Sequence, residues 1–267
     1  MKNKMVFVII LLSLGTFCLF LYGFISGVQA VLHPSGEHIA KMNVDEAVKT
    51  TSKSGNNIVA LGDSLTRGVG DEKGIGYVGR FKNKLEKETK EKVVLTNLAV
   101  SGAETKDLLK QLEQEGIQYT IKKADTIVLT IGGNDLFPGA EKLVDLDLMT
   151  YKTNIKQFQK AAVSIIENIR SLNPNSPIFW LGLYNPFEDV EQLQGSSALV
   201  AQWNNELQKI SLTYKDVYII PTFDLFQGKG KSLLYTDHFH PNGEGYRLMA
   251  NRLAEKVISQ SQIEVSE

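Results

Sequence analysis

The residues able to carry out nucleophilic chemistry lie in two short segments far apart in the chain. Ser64 stands in Gly62-Asp63-Ser64-Leu65, directly after an apolar run. A serine hydroxyl is a weak nucleophile at neutral pH, so it needs a base within hydrogen-bond reach and a third group that orients the base. The chain has four histidines, and only His238 and His240 follow residue 55. A serine mechanism in the main part of the chain therefore depends on one of these two imidazoles.

The segment Thr236-Asp237-His238-Phe239-His240-Pro241 also supplies a carboxylate. Asp237 precedes His240 by three residues, so a turn would bring its carboxylate to the far side of the ring. The same residues allow two other interpretations: an Asx-type turn before a helix, or a metal site formed by Asp237, His238 and His240. Because the sequence offers no further ligands that we can place beside these three, we expect no metal.

Ser64 is predicted to lie where a strand turns sharply into a helix. Gly62 permits such a turn, and the backbone N–H groups at the start of the helix favour negative charge that develops nearby. Asp63 or Ser64 is equally suited to be the N-cap of that helix. This segment alone therefore fits either a nucleophile or a structural cap.

Two further segments contain groups suited to binding an oxyanion, and each follows a predicted strand. They are Asn97-Leu98-Ala99-Val100-Ser101-Gly102 and Gly132-Gly133-Asn134-Asp135. A glycine lets its backbone N–H approach a substrate oxygen closely, and an asparagine adds a neutral amide donor. Taken alone, Gly-Gly-Asn-Asp is more often a turn than a catalytic element.

The elements that must position these residues show two hydrophobic periods. Short apolar runs rich in branched residues predict five strands: Ile58–Leu61, Val93–Leu95, Thr126–Ile131, Ile178–Leu183 and Val217–Ile220. Apolar residues spaced three or four apart predict three amphipathic helices: Ile155–Ile169, Leu199–Ile210 and Tyr246–Val257. Alternating strands and helices indicate a parallel sheet with helices on both faces, and ligands bind such sheets beyond the carboxyl ends of the strands.

Composition excludes several classes of protein. The 267 residues are 43% hydrophobic with a formal net charge of −1, which predicts one globular domain and no nucleic-acid partner. The single cysteine, Cys18, lies in the apolar N-terminal run, so no disulfide framework or cysteine metal site is expected. No glycine-rich phosphate motif follows the first strand, which disfavours nucleotide binding.

The N-terminus has the pattern of an export signal. Lys2 and Lys4 precede an apolar run from Met5 to Ile25, which is long enough to span a bilayer as a helix. Small residues at Val28 and Ala30 also suit cleavage by a signal peptidase. We expect an extracytoplasmic protein that is anchored to the cell membrane or secreted after cleavage. The predicted segments are a signal or anchor over 1–30, a tether over 31–55 and a catalytic domain over 56–262.

Together the motifs resemble those of the SGNH, or GDSL-like, hydrolases, in a membrane-anchored or secreted bacterial form. The resemblance covers about residues 57–258, and each block is weak alone, whereas four blocks in order are specific. The blocks are Gly62-Asp63-Ser64-Leu65, Gly102, Gly132-Gly133-Asn134-Asp135 and Asp237-His238-Phe239-His240-Pro241.

This resemblance implies a flavodoxin-like three-layer α/β/α sandwich with a five-stranded parallel sheet. It also implies roles for five residues. Ser64 would be the nucleophile, His240 the general base and Asp237 the group that orients it. The oxyanion hole would consist of the backbone N–H groups of Ser64 and Gly102 and the side chain of Asn134. No metal or organic cofactor is implied.

The implied reaction is serine-dependent hydrolysis of carboxylic esters through an acyl-enzyme, with a small-molecule or lipid ester as substrate. Lipases, acylhydrolases, lysophospholipases and thioesterases all fall within that description. Two alternatives stay open: a carbohydrate O-acetyl esterase acting on cell-envelope polymers, and a catalytically inactive surface binding protein. The apolar segments 136–150, 184–197 and 224–236 are predicted to form the rim of the site.

Overall fold

A computed structural model describes residues 15–17, 19–23, 56–138 and 148–266. The chain divides into two units, residues 1–53 and 54–267. In the first unit, residues 15–17 and 19–23 are helical. Among the described residues, no helix combines the length and apolar character needed to cross a membrane. The remainder of the predicted anchor and the predicted tether lie outside the described residues, so both stay predictions.

The second unit contains one parallel sheet of five strands, in the order β2-β1-β3-β4-β5. The strands are β1 (Asn56–Gly62), β2 (Val93–Asn97), β3 (Thr126–Thr130), β4 (Ile178–Leu181) and β5 (Val217–Ile220). All five predicted strands are confirmed, with ends that shift by up to two residues. This order is the flavodoxin-like one, in which the strand order reverses beside β1 and opens a crevice at the carboxyl edge.

Helices connect the strands and cover both faces of the sheet. They are α1 (Ser64–Arg67), α2 (Gly76–Thr89), α3 (Thr105–Leu112), α4 (Glu115–Lys122), α5 (Gly133–Leu136), α6 (Leu148–Leu172), α7 (Ser196–Ser211), α8 (Phe223–Phe226), α9 (Gly230–Leu233) and α10 (Gly243–Ser266). A short 3₁₀ helix covers Glu191–Leu193. The three helices predicted from apolar spacing are confirmed as parts of α6, α7 and α10.

Two hydrophobic cores lie on opposite faces of the sheet and make the fold a three-layer sandwich. One packs α3, α4, α6 and α7 against the sheet, and the other packs α2 and α10 against it. Strand β3 is buried along its whole length, as expected for a central parallel strand covered on both faces. Trp180 and Trp203 are both fully buried, and Trp203 stacks on Phe158 with ring centroids 4.0 Å apart. Core packing therefore accounts for both tryptophans.

Candidate active site

Ser64 reaches the carboxyl edge of the sheet because the chain leaves β1 at a glycine. Gly62 has a φ of 126°, and a Cβ there would lie 1.9 Å from the carbonyl oxygen of Thr130 on β3. Only glycine fits this close approach. Asp63 then caps α1, since its carboxylate accepts a hydrogen bond from the Leu65 N–H at 3.0 Å. The cap is therefore Asp63, and the hydroxyl of Ser64 makes a different contact.

That contact is with His240. The Nε2 atom of His240 lies 2.9 Å from the Oγ atom of Ser64, and its Nδ1 atom lies 2.7 Å from Oδ2 of Asp237. An ionised carboxylate only accepts hydrogen bonds, so Nδ1 carries the proton and Nε2 accepts from the serine hydroxyl. Ser64 is buried, the His240 side chain is 18% exposed and that of Asp237 is 38% exposed. The three side chains form one continuous hydrogen-bonded chain.

Asp237 also shapes the loop that carries the histidine. Its Oδ1 atom accepts hydrogen bonds from the backbone N–H groups of Phe239 at 3.0 Å and His240 at 2.9 Å. Burial raises the pKa of Asp237, but these bonds and the bond from the His240 ring outweigh burial and hold that pKa below its ordinary value. The Asx turn and the carboxylate–imidazole pair, which the sequence left as alternatives, are thus present together.

His238 lies away from this chain of hydrogen bonds. It is exposed, has a φ of 57°, and donates its backbone N–H to the carbonyl of Tyr235 at 3.0 Å. In the part of the chain that the structure describes, no group of three or more His, Cys, Asp or Glu side chains is arranged to hold a metal ion. The grouping of Asp237, His238 and His240 as metal ligands is therefore not observed.

A buried tyrosine supports the histidine loop from the side of β4. The hydroxyl of Tyr184 donates to the carbonyl of Phe239 at 2.6 Å, and its ring stacks on Phe226 with centroids 4.1 Å apart. Burial raises the pKa of Tyr184 well above its ordinary value, so the hydroxyl stays a donor. Tyr184 begins the predicted rim segment 184–197, but its contact with the histidine loop could not be predicted from local spacing.

Of the residues predicted to bind an oxyanion, Ser64 and Asn134 share a cleft, and the role of all three stays a prediction. Asn134 donates one side-chain N–H to the carbonyl of Ala103 at 2.8 Å, which fixes the amide and leaves its second N–H for another acceptor. Ser64 and Asn134 line one cleft, whereas Gly102 stands outside its lining. Gly102 has a φ of 79°. Within the described residues, the backbone N–H groups of Ser64 and Gly102 donate no hydrogen bond.

Asp135, the residue after Asn134, is hydrogen-bonded to the first residue of α3. Its carboxylate accepts hydrogen bonds from the backbone N–H of Thr105 at 3.0 Å and from the Thr105 hydroxyl. Burial raises the pKa of Asp135. The segment that contains Gly102 is therefore held against the segment that contains Asn134. Thr105 is a supporting residue that the sequence did not reveal, because a threonine near a helix start carries no distinctive signal.

A second buried network lies behind Ser64. Asp63 Oδ1 lies 2.7 Å from Thr130 Oγ1, which lies 2.7 Å from Thr66 Oγ1, which in turn lies 2.7 Å from the hydroxyl of Tyr77. When the carboxylate is ionised it can only accept, so Thr130 donates to Asp63, Thr66 to Thr130 and Tyr77 to Thr66. This network anchors α1 to β3 and α2.

The buried Asp63 carboxyl makes the free energy of unfolding depend on pH. Burial raises its pKa from 3.8 to about 6. Between these values the folded state keeps a proton that the unfolded state releases, so the stability from this carboxyl is present at low pH and is lost as pH rises toward 6.

The variant Asp63→Asn keeps an acceptor oxygen but has no carboxyl to ionise. We expect the free energy of unfolding of the variant, minus that of wild type, to increase by about 3 kcal/mol when the pH is raised from about 4 to about 7. Urea unfolding at several pH values measures this, and a pH-independent difference would contradict the raised pKa.

The cleft beside Ser64 is apolar and has a volume of about 360 Å³, including its open mouth. Ser64 and Asn134 share it with side chains that are mostly apolar: Leu65, Phe137, Leu183, Tyr184, Pro186 and Phe239. The predicted rim segments 136–150 and 184–197 contribute to it, although residues 139–147 lie outside the described residues. The described residues of 224–236 are not among those that line this cleft, so their place at the rim stays a prediction. Phe226 packs behind Tyr184.

The strand order β2-β1-β3-β4-β5, together with the blocks that contain Ser64, Gly102, Asn134 and His240, matches the SGNH class of hydrolases. The model of the GDSL-like lipase/acylhydrolase family matches residues 60–248, a range that contains all five predicted site residues. The chain belongs to this family, and its class of activity is ester hydrolysis. The predicted family and fold are thus confirmed.

Relatives of known sequence or structure share most of the chain. The uncharacterized protein YpmR of Bacillus subtilis is 36% identical over 217 residues, covering 79% of this chain and 85% of YpmR. The spore germination lipase LipC of Bacillus licheniformis is 33% identical over 202 residues, covering 73% of this chain and 92% of LipC. The crystal structure of the lipase Lip_vut3 from a goat rumen metagenome is 32% identical, with a TM-score of 0.64, covering 74% of this chain and 95% of that one.

Proposed function

We propose that this protein hydrolyses carboxylic esters through an acyl-enzyme formed on Ser64. The observation that carries the proposal is the hydrogen-bonded chain from Asp237 through His240 to the hydroxyl of Ser64. This arrangement meets the geometric requirement for an activated serine, since the base is within reach of the nucleophile and is itself oriented by a carboxylate.

In the first half of the reaction, Ser64 Oγ attacks the ester carbonyl carbon while its proton passes to Nε2 of His240. The tetrahedral intermediate collapses by breaking the bond to the alcohol oxygen, which takes the proton from His240 as it leaves. The acyl group is then bonded to Ser64. Asp237 stays ionised and stabilises the imidazolium that exists between the two transfers.

In the second half, a water molecule takes the place of the alcohol. His240 accepts a proton from the water as its oxygen attacks the acyl carbon, and returns the proton to Ser64 Oγ as the ester bond to the serine breaks. The carboxylic acid leaves and the free serine is restored. In both halves the oxyanion is bound by the N–H groups of Ser64 and Gly102 and the side-chain amide of Asn134, each worth about 10²- to 10³-fold in rate.

Two substrate classes remain candidates for this site. Similarity to LipC and to Lip_vut3, both named as lipases, favours a lipid ester. The size of the cleft favours a short acyl group, as in an O-acetylated carbohydrate of the cell envelope. Little of the cleft is enclosed, since only about 20 Å³ of it can hold the centre of a water-sized sphere, which is about the room of a single water molecule.

Chain-length preference distinguishes the two classes. We expect the purified full-length protein to hydrolyse p-nitrophenyl acetate or butyrate with a higher kcat/KM than p-nitrophenyl palmitate, because the cleft beside Ser64 is small. Added chelator should leave these rates unchanged, since no step uses a metal. A clear preference for palmitate would favour the long-chain lipase. Loss of activity on chelation would contradict the serine mechanism.

We also propose that the N-terminal segment places the enzyme outside the cytoplasm, where both candidate substrates occur. Support comes from Lys2 and Lys4 before the apolar run Met5–Ile25. Cell fractionation with N-terminal sequencing of the mature protein tests this. An intact N-terminus in the membrane fraction would indicate an anchor, and a new N-terminus near Val31 would indicate cleavage and secretion. Intact protein confined to the cytoplasm would contradict export.

A further inference from the structure

The segment that follows α1, residues 68–75, lies directly against the loop that carries His240. Gly70 has a φ of 89°, and a Cβ there would lie 2.8 Å from His240 Cβ and 2.7 Å from the Pro241 carbonyl oxygen. It would also lie 3.1 Å from Tyr235 Cβ. Since nonbonded atoms do not approach so closely, a side chain at position 70 would force the histidine loop to move.

The same segment is held to the backbone of the proposed nucleophile. The carbonyl of Ser64 accepts hydrogen bonds from the N–H groups of Gly68 and Val69, both at 3.0 Å. Gly70 is the next residue along the chain. The distance from Ser64 to the point where the chain touches His240 is therefore fixed by two hydrogen bonds and one peptide unit.

An ion pair fixes the second half of this segment, which follows Gly70 and begins at Asp71. The side chain of Asp71 is fully buried and is paired with the guanidinium of Arg80 on α2, with 2.9 Å between Arg80 Nη2 and Asp71 Oδ1. The same carboxylate accepts the backbone N–H groups of Lys73, Ile75 and Gly76. The Arg80 guanidinium holds the pKa of Asp71 well below its ordinary value. An ionised, fully bonded carboxylate of this kind fixes the turn that follows Gly70.

The segment is also fastened to α10, the helix that follows the histidine loop. The hydroxyl of Tyr246 donates to the carbonyl of Val69 at 2.6 Å, and Glu72 accepts the N–H of Gly243 at 3.1 Å. These two contacts lie on either side of Gly70 in the sequence. The backbone on both sides of Gly70 is therefore fixed to α10, so the glycine cannot move away from the histidine loop without breaking these hydrogen bonds.

We propose that Gly70 is a positioning residue that sets the separation between the Ser64 hydroxyl and the His240 imidazole. This role rests on the proposed function, because it concerns the same serine and histidine. A methyl group at position 70 must displace His240 by several tenths of an ångström or more. The displacement lengthens the 2.9 Å contact between Nε2 and Oγ. Misplacement of reacting groups by about 1 Å can cost about 10²-fold in rate.

The test compares Gly70→Ala with Gly74→Ala in the full-length protein. Gly74 lies in the same segment and also has a positive φ, 63°, but an added Cβ there meets nothing within 4 Å. Both variants therefore carry backbone strain, and only Gly70→Ala pushes on His240. We expect Gly70→Ala to lower kcat for p-nitrophenyl acetate by about 10- to 100-fold with KM little changed. Gly74→Ala should keep kcat within about twofold of wild type.

A second readout and a second variant keep the test decisive. The rate at which p-nitrophenyl diethyl phosphate labels Ser64 should fall in Gly70→Ala, because that reaction also needs the base in place, and should not fall in Gly74→Ala. Tyr246→Phe removes only the bond to Val69 and should lower kcat by about 3- to 10-fold with KM little changed. It serves as the test if Gly70→Ala proves unfolded by circular dichroism.

The positioning role is overturned if folded Gly70→Ala keeps the kcat and labelling rate of Gly74→Ala. It is also overturned if Gly70→Ala is unfolded and Tyr246→Phe has wild-type kcat. Either result would leave an active, Ser64-dependent wild-type enzyme, so the proposed function would stand. A wild-type protein that is neither active nor labelled would instead overturn the proposed function, and the positioning role with it.

Discussion

Replacing Ser64 with alanine is expected to lower kcat for ester hydrolysis by about 10⁵- to 10⁶-fold. In the proposed mechanism the hydroxyl of Ser64 accepts the acyl group, and no other hydroxyl is hydrogen-bonded to the His240 ring among the described residues. Fold and stability should change little, since the Ser64 hydroxyl makes its recorded hydrogen bond only to that ring. Steady-state hydrolysis of p-nitrophenyl butyrate by wild type and variant measures the effect.

Ser101 supplies the matched control. It is an exposed serine next to Gly102, in the segment proposed to supply an oxyanion donor. Ser101→Ala should keep kcat within about threefold of wild type. Combining Ser64→Ala with His240→Ala should cost no more than either change alone, because the two residues act as one unit. Additive losses, or residual activity in Ser64→Ala near that of Ser101→Ala, would refute the role of Ser64.

Changing Asp237 to asparagine is expected to lower kcat by about 10³- to 10⁴-fold while leaving the loop folded. The amide oxygen can still accept the backbone N–H groups of Phe239 and His240, so the Asx turn is kept. The amide nitrogen, however, would donate to Nδ1 of His240 and force the proton onto Nε2. A protonated Nε2 cannot accept the proton of Ser64. Steady-state kinetics together with the melting temperature separate this effect from unfolding.

Asp63 supplies the comparison for that change. It is the residue immediately before Ser64, but its carboxylate is bonded to Thr130 and the Leu65 N–H, with no hydrogen bond to His240. Asp63→Asn should therefore lower kcat by no more than about 10-fold, which reflects only small movements of α1. Equal losses in the Asp63 and Asp237 variants would contradict the assignment of Asp237 as the orienting carboxylate.

The elements that present the site could be predicted because their signals are local. Strand β1 is a continuous branched run that ends at Gly62, and the stripes of α6 and α10 repeat every three or four residues. Helix α2 is not among the predicted helices, although Tyr77, Phe81 and Leu85 are spaced four residues apart and form its buried face. The lysines and glutamates between them obscured that period.

Strand ends were less predictable because distant side chains decide them. The apolar run after Ile178 continues to Leu183, but β4 ends at Leu181. The backbone N–H and carbonyl of Leu183 are taken by the side chain of Asn204 on α7, at 2.8 and 2.7 Å. Once a side chain satisfies these groups, the sheet ladder has no partner there. No pattern within the strand could reveal this.

The polar contacts behind the site were the least predictable part. The network from Asp63 through Thr130 and Thr66 joins residues of β3 and α1 that are distant in sequence. The contact between Gly70 and His240 likewise joins opposite ends of the domain. Periodicity reports which face of an element is buried, but it does not report which distant residue meets it. Motif resemblance picked out the three side chains that the structure joins by hydrogen bonds, Ser64, His240 and Asp237, and left the residues that support them undetermined.

The most direct test of the account is to identify the residue that becomes covalently modified. Wild-type protein treated with p-nitrophenyl diethyl phosphate should gain one diethylphosphoryl group, release p-nitrophenol and lose esterase activity in proportion. Peptide mass spectrometry should place the group on Ser64, and Ser64→Ala should stay unlabelled. A label on another residue that accounts for the lost activity, or full activity in a protein labelled at Ser64, would contradict the claim that Ser64 is the nucleophile.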